Sequence, residues 1–103
     1  MNMIDDHALI NLIRSDNYVE RFKGEYYFVE RKLTKLEAML ERWRDGKLDF
    51  VPKTPRSLLE IQAEQMRQYL STLKARAHIE DIKFSDMDGC VVNDLVYKPE
   101  QRI

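Results

Sequence analysis

The sequence predicts an all-α protein: a short N-terminal helix, then a long antiparallel two-helix hairpin, with a C-terminal extended arm or small β-hairpin. Periodicity, connection length and punctuation are the reasons. Two long stretches carry large apolar residues at alternating spacings of four and three, the repeat of helices that pack along a shared seam. A connector of about eight residues separates them, short enough for the second helix to fold back on the first. Only three glycines and three prolines occur in 103 residues, too few to punctuate a many-stranded β-fold. The chain is long enough for one domain, divided as residues 1–16 (N-terminal helix), 17–82 (hairpin) and 83–103 (tail).

The first helix starts at a cap supplied by Asp5 or Asp6 and runs to about Arg14, because an Asp side chain accepts from the free N–H groups at a helix start. Leu9, Ile10, Leu12 and Ile13 cover most of one side of it. Ser15-Asp16-Asn17 is a break followed by a new cap. The second helix then spans about Asn17 to Asp45, with Phe22, Tyr26, Val29, Leu33, Leu36, Leu40 and Trp43 as its seam. Arg42 and Arg44 place cations in its last turn, and Gly46 offers a residue tolerant of the left-handed conformation just beyond.

The connector from Lys47 to Lys53 ends at Thr54-Pro55, an expected cap followed by a proline in the first helical position, where its missing N–H is harmless. The third helix continues to about Asp81. Leu59, Ala63, Met66, Leu70, Leu73 and Ala77 form its seam, and Leu58, Ile61, Tyr69 and Ile79 are expected to widen the stripe. Beyond Ile82 the composition changes: Cys90-Val91-Val92 and Leu95-Val96-Tyr97 are β-branched and aromatic, hence the arm or hairpin.

An apolar fraction of 44% with 34% charged residues describes a folded, strongly solvated chain rather than a disordered one. Seventeen Lys and Arg balance eighteen Asp and Glu, which makes general nucleic-acid binding the less favoured class, since duplex binders carry a basic excess or a basic face. Cys90 is the only cysteine, so no intrachain disulfide forms and a reducing cytoplasm is expected. The acidic start Met1-Asn2-Met3-Ile4-Asp5-Asp6 lacks the basic and apolar regions of a signal peptide. No run approaches the roughly 18 apolar residues of a membrane span.

The second helix is apolar on more than its seam. Tyr26, Tyr27, Phe28 and Val29 are consecutive, and at about 100° per residue Tyr27 and Phe28 fall on opposite flanks, well away from the seam, so this helix is expected to be buried on more than one side. Gly24 lies one turn before those rings, where a residue without a side chain lets another helix or a flat ligand approach the backbone. Three readings follow: the first helix packs there, a second subunit does, or a ligand does. A single two-helix seam buries little against the cost of ordering the chain, which points to a homo-oligomer as well as to packing by the termini. Arg31, Lys32 and Lys35, with Lys23 nearby, add a modest basic patch, and aromatic faces beside cations suit bases and phosphates. The same charges, interspersed with Glu30 and Glu37, also describe an ordinary solvated face.

Catalytic motifs are weak. Phe84-Ser85-Asp86-Met87-Asp88-Gly89-Cys90 resembles the nucleophile motif of haloacid-dehalogenase-type phosphatases, in which the first Asp attacks phosphorus and the second handles the leaving-group proton. That chemistry requires a parallel sheet with further Lys and carboxylate residues, and helical patterns precede the motif here. Asp88-Gly89 is read instead as a turn between two extended segments. His7 and His78 stand in no metal-ligand spacing with Cys90 or with carboxylates. Neither a Ser/His/Asp set nor a Gly-rich phosphate loop is present, so no enzyme, metal or cofactor is expected.

One wider pattern remains. Tyr18, Arg21, Phe22, Glu25, Tyr26 and Tyr27, then Arg31, Leu33, Leu36 and Met39, then Pro55, Leu58, Leu59, Gln62, Met66, Tyr69, Leu70 and Leu73 together resemble a family of small helical accessory proteins of tailed phages and prophages, including crAss-like phages. The resemblance covers roughly residues 18–82. It implies a phage accessory gene without catalysis, acting in the host cytoplasm against a host defence protein or a small nucleotide signal. Gly24, Tyr27, Phe28, Arg31 and Lys35 are the residues expected at such a site, the rings stacking and the cations holding phosphate. The alternatives are a nucleic-acid-associated accessory protein in phage replication or transcription, and a structural assembly protein.

Overall fold

The computed structural model describes residues 5–84, which form three helices: α1 (Asp6–Ile13), α2 (Tyr18–Arg44) and α3 (Arg56–Glu80). Among the described residues there is no strand. The expected C-terminal arm or β-hairpin, with Asp86, Asp88 and Cys90, lies outside the described residues.

Local chemistry sets each boundary. Asp5 caps α1 by accepting the Ala8 N–H at 2.8 Å. At the α1–α2 corner Asn17 caps α2 by accepting the Glu20 N–H at 3.0 Å, while Ser15 Oγ accepts the Asn17 N–H at 2.9 Å and donates to Glu20 Oε1 at 2.5 Å. Arg21 donates to the Ser15 carbonyl at 2.9 Å, so the corner's polar groups serve one another and the predicted break at residues 15–17 becomes a fixed bend.

At its other end α2 stops in a left-handed residue. Gly46 has φ +73°, its N–H reaches the Trp43 carbonyl at 3.0 Å, and the Lys47 N–H reaches the Arg42 carbonyl at 2.8 Å. This pair of bonds satisfies carbonyls that the helix end leaves without partners. The start of α3 corrects one expectation: Thr54 makes no capping bond, and Pro55 is the cap residue. With ψ at 144° Pro55 is still extended, which places Thr54 one residue too far from the first helical turn. The Pro55 carbonyl instead accepts the N–H groups of Leu58 and Leu59 at 3.1 and 3.3 Å.

Cross-helix bonds show the hairpin to be antiparallel. Tyr18 at the start of α2 donates to Glu80 at the end of α3, Arg67 pairs with Glu37 near the middle, and Arg44 meets Glu60 beside the connector. Phe22, Tyr26, Val29, Leu33 and Leu40 of α2 are buried with Ala63, Leu70, Leu73 and Ala77 of α3, and Leu36, Trp43, Leu59 and Met66 pack against them. Leu58, Ile61, Tyr69 and Ile79 do not widen this core; all four are exposed. At about 100° per residue they form a separate stripe, turned more than a quarter-circle from the seam of α3, and α2 covers only the seam.

The chain after α3 folds back into the core. Asp81 takes the left-handed conformation (φ 58°, ψ 42°), and the Ile82 N–H returns to the Ala77 carbonyl at 2.9 Å. A short polar Asp tolerates this region better than an apolar residue does. The reversal carries Ile82 and Phe84 into burial, Phe84 retaining only 4% of its surface.

Candidate functional site

Gly24, Tyr27, Phe28, Arg31 and Lys35 follow one another at helical spacing along the side of α2 that faces away from α3. Helix α1 lies antiparallel across this side. Its last residue, Ile13, sits at Gly24, where an added Cβ would come within 2.9 Å of the Ile13 backbone nitrogen and 3.1 Å of the Leu12 carbonyl carbon. Its first residue, Asp6, forms an ion pair with Arg31 two turns farther along α2. The close approach that Gly24 permits is therefore made by the backbone of α1. Leu9 is the one buried residue of α1.

The five residues separate into two environments. Tyr27 is buried, its ring edge-on to Tyr26 at 6.0 Å and to Phe84 at 5.8 Å. Phe84 also stacks on Tyr26 at 4.4 Å between centroids and on Phe22 at 6.1 Å. This four-ring cluster fixes Tyr27 from behind. Phe28 stands outside it, 45% exposed, with the Lys32 ammonium 5.6 Å from its ring centroid, within the range of cation–π attraction. Lys35 is exposed one turn beyond Arg31. Arg31 lies between the two environments: only 15% of its side chain is exposed, against 86% for Asp6.

The structure thus gathers Gly24, Tyr27 and Arg31 at the α1 contact and leaves Phe28, Lys32 and Lys35 as an open aromatic and cationic strip beside it. Two contributors had no signal in the sequence. Asp6 is 25 residues from Arg31, and Phe84 reads locally as the start of the Asp-x-Asp-Gly segment.

Polar side chains elsewhere close upon one another. At the open end of the hairpin the Tyr18 hydroxyl donates to Glu80 at 2.8 Å and accepts from Arg76 at 3.0 Å, while the Arg76 guanidinium lies 4.9 Å above the Phe22 ring. Toward the connector a groove of about 220 Å³ runs between α2 and α3, lined by Glu37, Glu41, Arg44, Glu60 and Arg67 among others. Its arginines are engaged by Glu60 and Glu37. Arg67 also donates to Glu64, at 2.9 and 3.2 Å, and with a further bond from Gln68 this holds the Glu64 carboxyl below the ordinary glutamate range. Its bonds to Glu64 and Glu37 raise Arg67 in turn, which stays charged throughout.

Among the described residues no group of three or more His, Cys, Asp or Glu side chains is placed to hold a metal ion. No described helix is long and apolar enough to cross a membrane. The model of one family, Sequestin, matches residues 16–79. That range runs from the α1–α2 corner almost to the end of α3 and includes Gly24 through Lys35, but not α1. No curated protein and no solved structure matches the chain.

Proposed function

Because the chain belongs to the Sequestin family, we propose that it works by binding and holding a partner and not by turning over a substrate. The family name points to sequestration, and the observation that supports a site for it is the strip Phe28, Lys32 and Lys35 on the outer side of α2, with Arg31 at its covered edge. An exposed ring flanked by cations offers stacking and charge to a flat anionic ligand. The reading is a phage or prophage accessory protein that counters host defence by sequestering a nucleotide signal in the host cytoplasm, with no catalytic step.

A second reading has its own support. Leu58 and Ile61, neighbours one turn apart near the start of α3, are both exposed, and an exposed apolar pair suits a protein contact. In that form the protein blocks an immune effector directly, or assembles as a homo-oligomer through α3.

Native mass spectrometry of the protein taken from producing cells tests both. A retained adduct of nucleotide size, lost in Phe28→Ala and Arg31→Gln, is the expected result. A complex with a host protein and no small adduct replaces it with the second reading. A bare monomer that captures nothing from infected cells refutes sequestration.

A further inference from the structure

Arginine is permanently charged at any pH a protein meets, so a guanidinium that loses its water must have an anion beside it. Most arginines here avoid that demand. In the other arginine ion pairs Arg42, Arg44, Arg56, Arg67 and Arg76 keep between 44% and 56% of their side-chain surface exposed. Arg31 keeps 15%. The asymmetry runs the other way for its acid: Asp6 is 86% exposed, in the first turn of an eight-residue helix that buries one residue. A helix of that length does not hold itself together without packing. A largely buried cation is therefore paired with an exposed carboxylate on the shortest described helix.

We propose that Arg31 anchors an anion site in which the Asp6 carboxylate occupies the place of the ligand's phosphate, and that α1 is an exchangeable cover over it. This rests on the reading of the strip as a nucleotide site and adds the group that competes for it. A phosphate monoester that displaces Asp6 gains the Arg31 guanidinium and finds the Lys35 ammonium one helical turn on. A ring attached to it lies on Phe28, in place of the Lys32 ammonium that now sits 5.6 Å from that ring. The ligand class is thus a phosphate joined to a flat aromatic ring. Asp6 competes for Arg31 while the site is empty and lowers the apparent affinity for weak or incomplete ligands, because each must first displace it.

The test is a titration of the full chain, followed by amide NMR shifts, with adenosine 5′-monophosphate and separately with inorganic phosphate and with adenosine. Asp6→Asn is expected to tighten the monophosphate and phosphate about fivefold, a factor equal to the upper range of an ion pair exposed on one side, and to leave adenosine unchanged. Asp6→Glu, which keeps the charge, is expected to behave as the parent chain. Arg31→Gln is expected to abolish the phosphate-dependent part. Equal affinities for Asp6→Asn and the parent chain overturn the exchange, as does an equal gain for adenosine, which signifies general loosening of α1. Absence of any monophosphate binding at millimolar concentration overturns it as well. A nucleotide adduct retained in the mass spectrum with no Asp6 effect leaves sequestration standing without the exchange. The Asp6 effect without any retained partner leaves the anion site standing without sequestration.

Discussion

Replacing Gly24 by alanine sets two well-known magnitudes against each other. Inside a helix alanine is favoured over glycine by about 1 kcal/mol, so α2 alone gains. The new Cβ, however, would stand 2.9 Å from the Ile13 nitrogen and 3.1 Å from the Leu12 carbonyl carbon. Both are backbone atoms, which cannot swing aside as a side chain does, and forcing a methyl into packed surroundings costs roughly 1–3 kcal/mol. The chain need not bear that strain, because α1 can leave. Its apolar hold consists of buried Leu9 and partly buried Leu12, about 2–4 kcal/mol of burial, and ordering the helix consumes much of this. We expect Gly24→Ala to release α1 while the hairpin persists. Stability in urea should change by less than about 1 kcal/mol, whereas hydrogen-exchange protection of the α1 amides should fall by about tenfold or more. Unchanged α1 protection combined with a gain of about 1 kcal/mol would refute the reasoning, since it would mean that the methyl fits beneath α1.

Two further outcomes follow from other parts of the fold. Phe84→Ala removes a ring that is 4% exposed and stacked 4.4 Å from Tyr26; it should cost about 3–5 kcal/mol in a urea melt, whereas Phe50→Ala, an exposed connector residue, should cost little. Glu64 contributes through a carboxyl held below its ordinary value by Arg67 and Gln68. Its contribution is present above that ordinary value and is lost as pH falls through the lowered one, so the melting temperatures of the parent chain and Glu64→Gln should converge only in acid, below about pH 4.5. The difference near neutral pH should be small, because the pair is solvent-exposed and screened.

The hairpin was legible because its signal is periodic. Phe22, Tyr26, Val29, Leu33 and Leu40 repeat at the spacing that places side chains on one side of a helix, and each is buried. Local rules of similar range located the Asn17 cap and the left-handed Gly46. Rotation was harder to read than periodicity. Leu58, Ile61, Tyr69 and Ile79 look like extensions of the seam in sequence, yet one neighbouring helix covers only one stripe. Phe84 was illegible for another reason: its partners Phe22, Tyr26 and Tyr27 lie on a distant helix, and nothing beside it in the chain reports them. For the site, helical spacing was enough to put Tyr27 and Phe28 on opposite flanks of α2, off its seam. The covering helix and its Asp6 carboxylate depend on how the corner at residues 15–17 aims α1, which no short-range pattern encodes.

The antiparallel pairing also orders the hairpin in time. Its cross-helix bonds span 16 residues at Arg44–Glu60, 30 at Arg67–Glu37 and 62 at Tyr18–Glu80. Loop closure becomes dearer by about 0.6 kcal/mol with each doubling of the span, so pairing begins beside the connector and zips toward the far end. On that order the four-ring cluster around Phe84 is the last to close. Helix α1 is packed over Gly24 to Arg31, on the side of α2 that faces away from α3. Its release therefore leaves the order of hairpin closure unchanged, and the half of the hairpin nearest the connector clamps α2 to α3 whether or not α1 is in place.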